Sequence, residues 1–103
     1  SIMPVGKGGL IDVWFFKLGG CVSNEELAKE YFFRCLKPDP LAQITVNATD
    51  PSFADEHPNG CLWQDHKGQW YFLTFDKWYG ERDVDVHCAY GVWSDHWWFA
   101  GVR

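Results

Sequence analysis

From residue 10 to residue 18 the chain reads LIDVWFFKL. As an extended strand it carries Ile11, Val13 and Phe15 on one side and Trp14, Phe16 and Leu18 on the other. A strand apolar on both faces belongs inside a sheet with cover on each side, or in a sheet closed on itself. Gly19-Gly20 ends it, and Ser23-Asn24-Glu25-Glu26 then has the spacing of a capping box. There the Ser hydroxyl satisfies a free backbone N–H and Glu26 reaches back to Ser23. A helix follows to about Leu36, with Leu27, Ala28, Tyr31, Phe32 and Cys35 on its apolar stripe, and Pro38 and Pro40 terminate it. Phe33 falls among the polar positions.

Past the helix, the β-branched run of Ala42 to Ala48 predicts a short strand, and residues 49–60 (TDPSFADEHPNG) read as a loop closed by Asn-Gly. Two strands, Cys61 to His66 and Gln69 to Phe75, flank a Lys67-Gly68 hairpin turn. A second hairpin, residues 82–91 with 96–102, turns at Trp93-Ser94-Asp95-His96. Residues 1–9 (SIMPVGKGG) read as a flexible arm. The prediction is a single α+β domain, a β-α-β-β-β-β-β roll with one helix on a curved antiparallel sheet of about six strands. One helix cannot cover both faces of that sheet. The apolar first strand therefore requires strong curvature round the helix or a second copy packed sheet to sheet, and the sequence is equally compatible with monomer and homodimer.

Composition sharpens this picture at one point. At 103 residues the chain has room for one core. Seven Trp among nineteen aromatics is more ring surface than so small a core readily hides, at about 150–250 Å² each. Some rings are therefore expected at the surface. Charge is uneven: five acids balance five bases through residue 47, and nine acids face four bases beyond it, so the second half carries the whole net charge of −5. That excess disfavours direct nucleic-acid binding, which draws its affinity from basic surface, and favours a basic or amphipathic protein partner.

No secretory leader pattern opens the chain, and no stretch approaches the roughly 20 apolar residues of a membrane span. The four cysteines (Cys21, Cys35, Cys61, Cys88) read as reduced thiols of a cytoplasmic protein. Cys21 and Cys35 stand at opposite ends of the predicted helix, about 20 Å apart and too far to bridge. A Cys61–Cys88 disulfide stays open. Asn47-Ala48-Thr49 matches a glycosylation sequon, a tripeptide common by chance.

The candidate chemistry lies in Asp83-Val84-Asp85-Val86-His87-Cys88. Alternation places Val84, Val86 and Cys88 inward and Asp83, Asp85 and His87 outward. With Ser94-Asp95 as the turn, Trp93 and Trp98 share that outward face, giving an acidic strip beside an aromatic patch. As a third metal ligand beside Asp85 and His87, His96 fails on geometry, lying about six residues along the ladder and roughly 20 Å from His87, against bonds of about 2 Å. A third ligand would have to come from a neighbouring strand, such as Asp65 or His66, and the Cys and His spacings match no zinc pattern. Gly6-Lys7-Gly8-Gly9 lacks the Lys-Ser/Thr of a phosphate loop. No motif marks a catalytic residue or a cofactor. The expected function is that of a small acidic binding protein, using Asp83, Asp85, His87, Trp93 and Trp98 to dock a protein. By analogy of size and charge this suits an inhibitor or accessory protein of a phage or mobile element. The alternative is a small-ligand binder or enzyme with a pocket between helix and curved sheet, lined by Asp12, Asp85 or His87.

Overall fold

The computed structural model describes residues 2–5, 12–78, 81–88 and 92–103, with side chains described for 12–77, 84 and 93–103. Its elements in chain order are β1 (Ile2–Val5), β2 (Val13–Lys17), β3 (Val22–Ser23), α1 (Asn24–Phe33), α2 (Pro40–Thr49), α3 (Phe53–Glu56), β4 (Asn59–Gln64), β5 (Trp70–Trp78), β6 (Glu81–Cys88), β7 (Val92–Trp93) and β8 (Trp98–Gly101). This is a small α+β domain with three helices where the sequence predicts one. Strands pair in the order β1-β2-β8-β4-β5-β6, and β3 pairs with β7 separately. The sheet is mixed: β4 and β8 run parallel, with Asn59 opposite Trp98 and Gly60 opposite Phe99, and its other neighbours are antiparallel.

β2 behaves as its pattern requires. Phe16, with Trp14 and Leu18 against it, joins Leu27, Tyr31, Leu36, Leu62, Trp93 and Phe99 in a core on the α1 side. Val13 and Phe15 join Val46, Phe53 and Ala100 in a second core on the other side. Two-sided cover therefore comes from helices of the same chain, with α1 on one face and α2 and α3 on the other.

The capping box forms as read: Glu26 N–H donates to Ser23 Oγ at 3.2 Å and Ser23 N–H to Glu26 Oε1 at 3.1 Å. These bonds from Ser23 hold the Glu26 carboxyl below its usual range. The helix stops at Phe33, short of the expected Leu36, because Cys35 turns left-handed (φ 56°). Leu36 N–H then bonds Tyr31 O and Cys35 N–H bonds Phe32 O, both at 3.0 Å. That is a Schellman closure, with buried Leu36 packing back on the Tyr31 turn.

The chain then crosses to the other face beside β8. Lys37 N–H bonds Val102 O at 2.7 Å and Val102 N–H returns to Lys37 O at 2.9 Å, filling the ladder past the point where β4 parts from β8. The crossing is close: a Cβ on Gly101 would lie 3.1 Å from both Leu36 Cβ and Tyr31 Cε1.

Several expectations are corrected. Residues 42–48 are helical, not a strand. Asp39 caps α2 by accepting Ala42 N–H at 3.0 Å and Pro40 occupies the first turn, so the residues read as a stop form a start signal. Residues 53–56 form a helical turn inside the expected loop, and Asn59-Gly60 begins β4 rather than making a turn. Within the expected arm, Ile2–Val5 pairs with β2. The first hairpin is present, but its connection spans residues 65–69, with Gly68 left-handed at φ 84° and Asp65 Oδ1 accepting from Lys67 and Gln69 N–H. The second does not form among the described residues: β6 pairs with β5, and β8 lies between β2 and β4. Cys61 is a buried free thiol, so it is not bridged to Cys88, and Cys21 and Cys35 are free and exposed.

Candidate functional site

The five residues singled out in the sequence do not assemble into one described face. Asp83, Asp85 and His87 stand opposite Asp76, Thr74 and Phe72 in the β5–β6 register. Their side chains, and those of Val86 and Cys88, lie outside the described ones. Val84, expected inward, is 55% exposed. Trp93 is 7% exposed and belongs to the α1-side core. Its ring meets Phe72, Trp97 and Phe99 edge-on and its Nε1–H donates to Asn24 Oδ1 at 3.0 Å. Trp98 packs instead against the second core, with its ring edge-on to His57 and Lys17 Nζ 5.9 Å above it. The two tryptophans expected to form one patch thus serve opposite faces of the sheet.

Among the described residues, Phe16, Leu27, Tyr31, Leu62 and Phe99 are buried between α1 and the strands it covers, and the side chains of Asp85 and His87, named for the alternative pocket, lie outside the described ones. Asp12 is exposed just ahead of β2. Where β4 and β8 part, the buried Tyr31 O–H donates to Ala100 O at 2.6 Å and lies beside the Cys61 thiol. Burial pushes that thiol up to about 12, leaving it protonated and unreactive at neutral pH.

Two surface depressions hold titratable groups. An open groove of about 460 Å³ is lined by Lys17, Leu18, Gly19, Asp95 and His96. At its rim Ser94 Oγ contacts His96 Nδ1. This is a contact between residues two apart in a turn, and it reads as turn structure. A second depression of about 230 Å³ lies beyond the C-terminus of α2, lined by Asp50, Ser52, Phe53, Asp55, Glu56 and His57. His57 stacks on Phe53 at 4.8 Å, and Asp55 meets Lys77 at 3.8 Å. Among the described residues no group of three or more His, Cys, Asp or Glu is placed to hold a metal ion. No described helix is long and apolar enough to cross a membrane.

The most informative surface is on α2, whose amphipathicity is inverted. Its inward positions are Gln43, Val46 and Asn47, two of the three being amides. Gln43 Nε2 lies within bonding distance of Asn59 Oδ1 (3.0 Å), Leu73 O (3.2 Å) and Asn59 O (3.3 Å). Asn47 and Asn59 exchange amide bonds at 2.9 and 3.0 Å. Gln43 Oε1 is buried with no partner. The sequon asparagine is thus tied into the interior. On the opposite side, at helical spacing, Leu41, Ile44, Thr45 and Ala48 all face solvent, with Leu41 74% and Ile44 42% exposed. The helix has no charged residue anywhere along its length. The sequence reading missed this face because it took the segment as a strand. The signal that reveals it is Asp39-Pro40 followed by Leu, Ile, Thr and Ala at positions 41, 44, 45 and 48.

No family model matches the chain, and neither does any curated protein or solved structure.

A second exposed apolar pair sits at the C-terminus of α1. Phe32 (78%) and Phe33 (69%) project into solvent with ring centroids 6.3 Å apart. Phe32, expected on the buried stripe, lies outside it; the apolar residues that the helix fully buries are Leu27 and Tyr31.

Proposed function

We propose that this protein is a small acidic binding protein whose helical outer surface, rather than its sheet face, docks a protein partner. The observation that carries this reading is the inversion of α2, which buries two amides and leaves Leu41 and Ile44 in water. Full burial of such a branched side chain is worth about 1.5–3 kcal/mol, of which Leu41 forgoes most and Ile44 less than half, and an unpartnered buried acceptor such as Gln43 Oε1 costs about 1–3 kcal/mol. A helix serving only its own fold would have these positions exchanged. An interface recovers the apolar term on binding, and uncharged apolar cores with polar rims are what protein contacts use.

The net charge of −5 favours a basic or amphipathic partner over nucleic acid or an anionic membrane surface. The free Cys21, Cys35 and Cys61 thiols suit a reducing compartment, hence the cytoplasm. An inhibitor or accessory role for a phage or mobile element fits a protein of this size and acidity. A homodimer is the other occupant such apolar surface would accept.

Quantitative affinity capture from native cells tests the reading. Wild type is compared with Leu41→Ser/Ile44→Ser and Phe32→Ser/Phe33→Ser, each checked for folding by circular dichroism. A protein retained by wild type and lost from one folded variant supports it. An identical captured set for all three refutes it.

A further inference from the structure

Resting on that reading, we propose that the outer face of α2 and the acidic depression at its C-terminal end form one docking site for a cationic amphipathic helix. Its apolar side covers Leu41, Ile44 and Ala48, and a lysine or arginine reaches the depression bounded by Asp50 and Glu56.

The apolar half is a stripe. Leu41, Ile44, Thr45 and Ala48 recur on one side of the helix, opposite the buried Gln43, Val46 and Asn47. A helix laid across it would place its own i, i+3, i+4 apolar residues on Leu41 and Ile44, as helix-in-groove recognition does.

Charge complementarity selects the occupant. From residue 38 to residue 66 the chain has five acids (Asp39, Asp50, Asp55, Glu56, Asp65) and neither lysine nor arginine. Asp39 caps one end of α2 and Asp50 the other. The depression of about 230 Å³ past Asp50 is lined by Asp50, Asp55 and Glu56 over the Phe53 and His57 rings. Lys77 approaches Asp55 at 3.8 Å, which leaves Asp50 and Glu56 as the acids presented outward. Asp50 Oδ1 accepts from Ser52 N–H and Oγ–H, bonds that fix its position at the rim while its second oxygen is left for an incoming cation. A second copy of this chain would bring two such acidic rims together, which like-charge repulsion opposes.

The probe is a fluorescein-labelled helical peptide of Leu and Lys, about 18 residues or five turns long, with Leu on one face. Two controls accompany it: a Leu/Glu peptide of the same pattern, and a scrambled Leu/Lys peptide that cannot form an apolar face. Binding is read by fluorescence anisotropy at low and high salt. Wild type is expected to bind the patterned Leu/Lys peptide about tenfold or more tightly than either control, and more weakly as salt rises. Leu41→Ser/Ile44→Ser should lose about tenfold or more, and Glu56→Lys should lose affinity and salt dependence together. Thr45→Arg, on the same face, tests the site should the double variant unfold. Phe32→Ser/Phe33→Ser should bind like wild type. The proposal is overturned if the scrambled peptide binds equally, if folded α2-face variants retain full affinity, or if Leu41→Ser/Ile44→Ser instead converts a dimer to a monomer in sedimentation. Loss confined to the Phe32/Phe33 variant would also overturn it, while leaving intact the broader reading of a protein-binding surface.

Discussion

Cys35 occupies the one described non-glycine position with a left-handed backbone, φ 56°, where it closes α1. For an L-residue that conformation brings Cβ against the following carbonyl and costs about 1–2 kcal/mol, which glycine avoids. The side chain is exposed, so deleting it removes little packing. Against the gain stands the greater freedom of glycine in the unfolded chain, worth about 0.4–1 kcal/mol. Cys35→Gly should therefore stabilise the domain by about 0.5–1 kcal/mol, or about 3–6 °C in Tm. Urea unfolding followed by tryptophan fluorescence and by circular dichroism reads this as a higher midpoint at unchanged slope. Cys35→Ala retains Cβ and should leave stability near wild type, which separates backbone strain from loss of the thiol. Cys35→Asn should fall between them, because Asn tolerates this region better than other side chains. If Cys35→Gly is no more stable than Cys35→Ala, the left-handed closure is not costing what its geometry implies and the argument fails.

Gly101→Ala should destabilise the fold by about 1–3 kcal/mol, because the new Cβ would crowd Leu36 and Tyr31 and sit 3.2 Å from Lys37 O, which the bridge to Val102 holds in place. Gly19→Ala, with nothing within 4 Å of the added carbon, is the control in the same urea titration. Asn59→Asp places a carboxyl among the Gln43 and Asn47 amides and removes the Asn59 Nδ2 donor to Asn47 Oδ1 and His57 O. It should cost about 3 kcal/mol or more, and the loss should deepen as pH rises through the carboxylate range, since burial favours the neutral acid. The Cys61 thiol is raised by burial from an ordinary value of 9.0 to about 12. Its neutral form is the one the fold holds, so its contribution is complete below about pH 9 and drains away as pH climbs toward about 12. Thiol titration with Ellman's reagent near neutral pH should modify Cys21 and Cys35 at once and Cys61 only on unfolding, and prompt reaction of Cys61 in the folded protein would contradict its burial.

Where one local pattern admitted one structure, the sequence alone was sufficient. The α+β class, the two-sided β2 strand, the Ser23–Glu26 capping box and the position of the first hairpin turn follow from spacing and from the hydrogen-bonding needs of short segments. Asp39-Pro40 shows where local signals compete: a proline that reads as the stop of one helix in fact opens the next, α1 having already closed at Cys35, and the β-branched Ile44-Thr45-Val46 favours a strand only if tertiary context is ignored. Long-range pairing was beyond the sequence. β5 and β6 are joined by residues 79–80, and β8 passes between β2 and β4. That pairing makes β6 the end strand among the described ones, and its charged positions suit an edge that must not recruit another strand. Trp93 and Trp98 look alike in the sequence, yet one is enclosed under α1 while the other packs on the opposite core. Local chemistry set the caps and turns and the two-sided character of β2, because those depend on residues within a few positions of one another. Only the tertiary structure decided which apolar residues were left outside, because exposure depends on every element packed around them. That is why Leu41 and Ile44, rather than the conspicuous tryptophans, are the ones left outside.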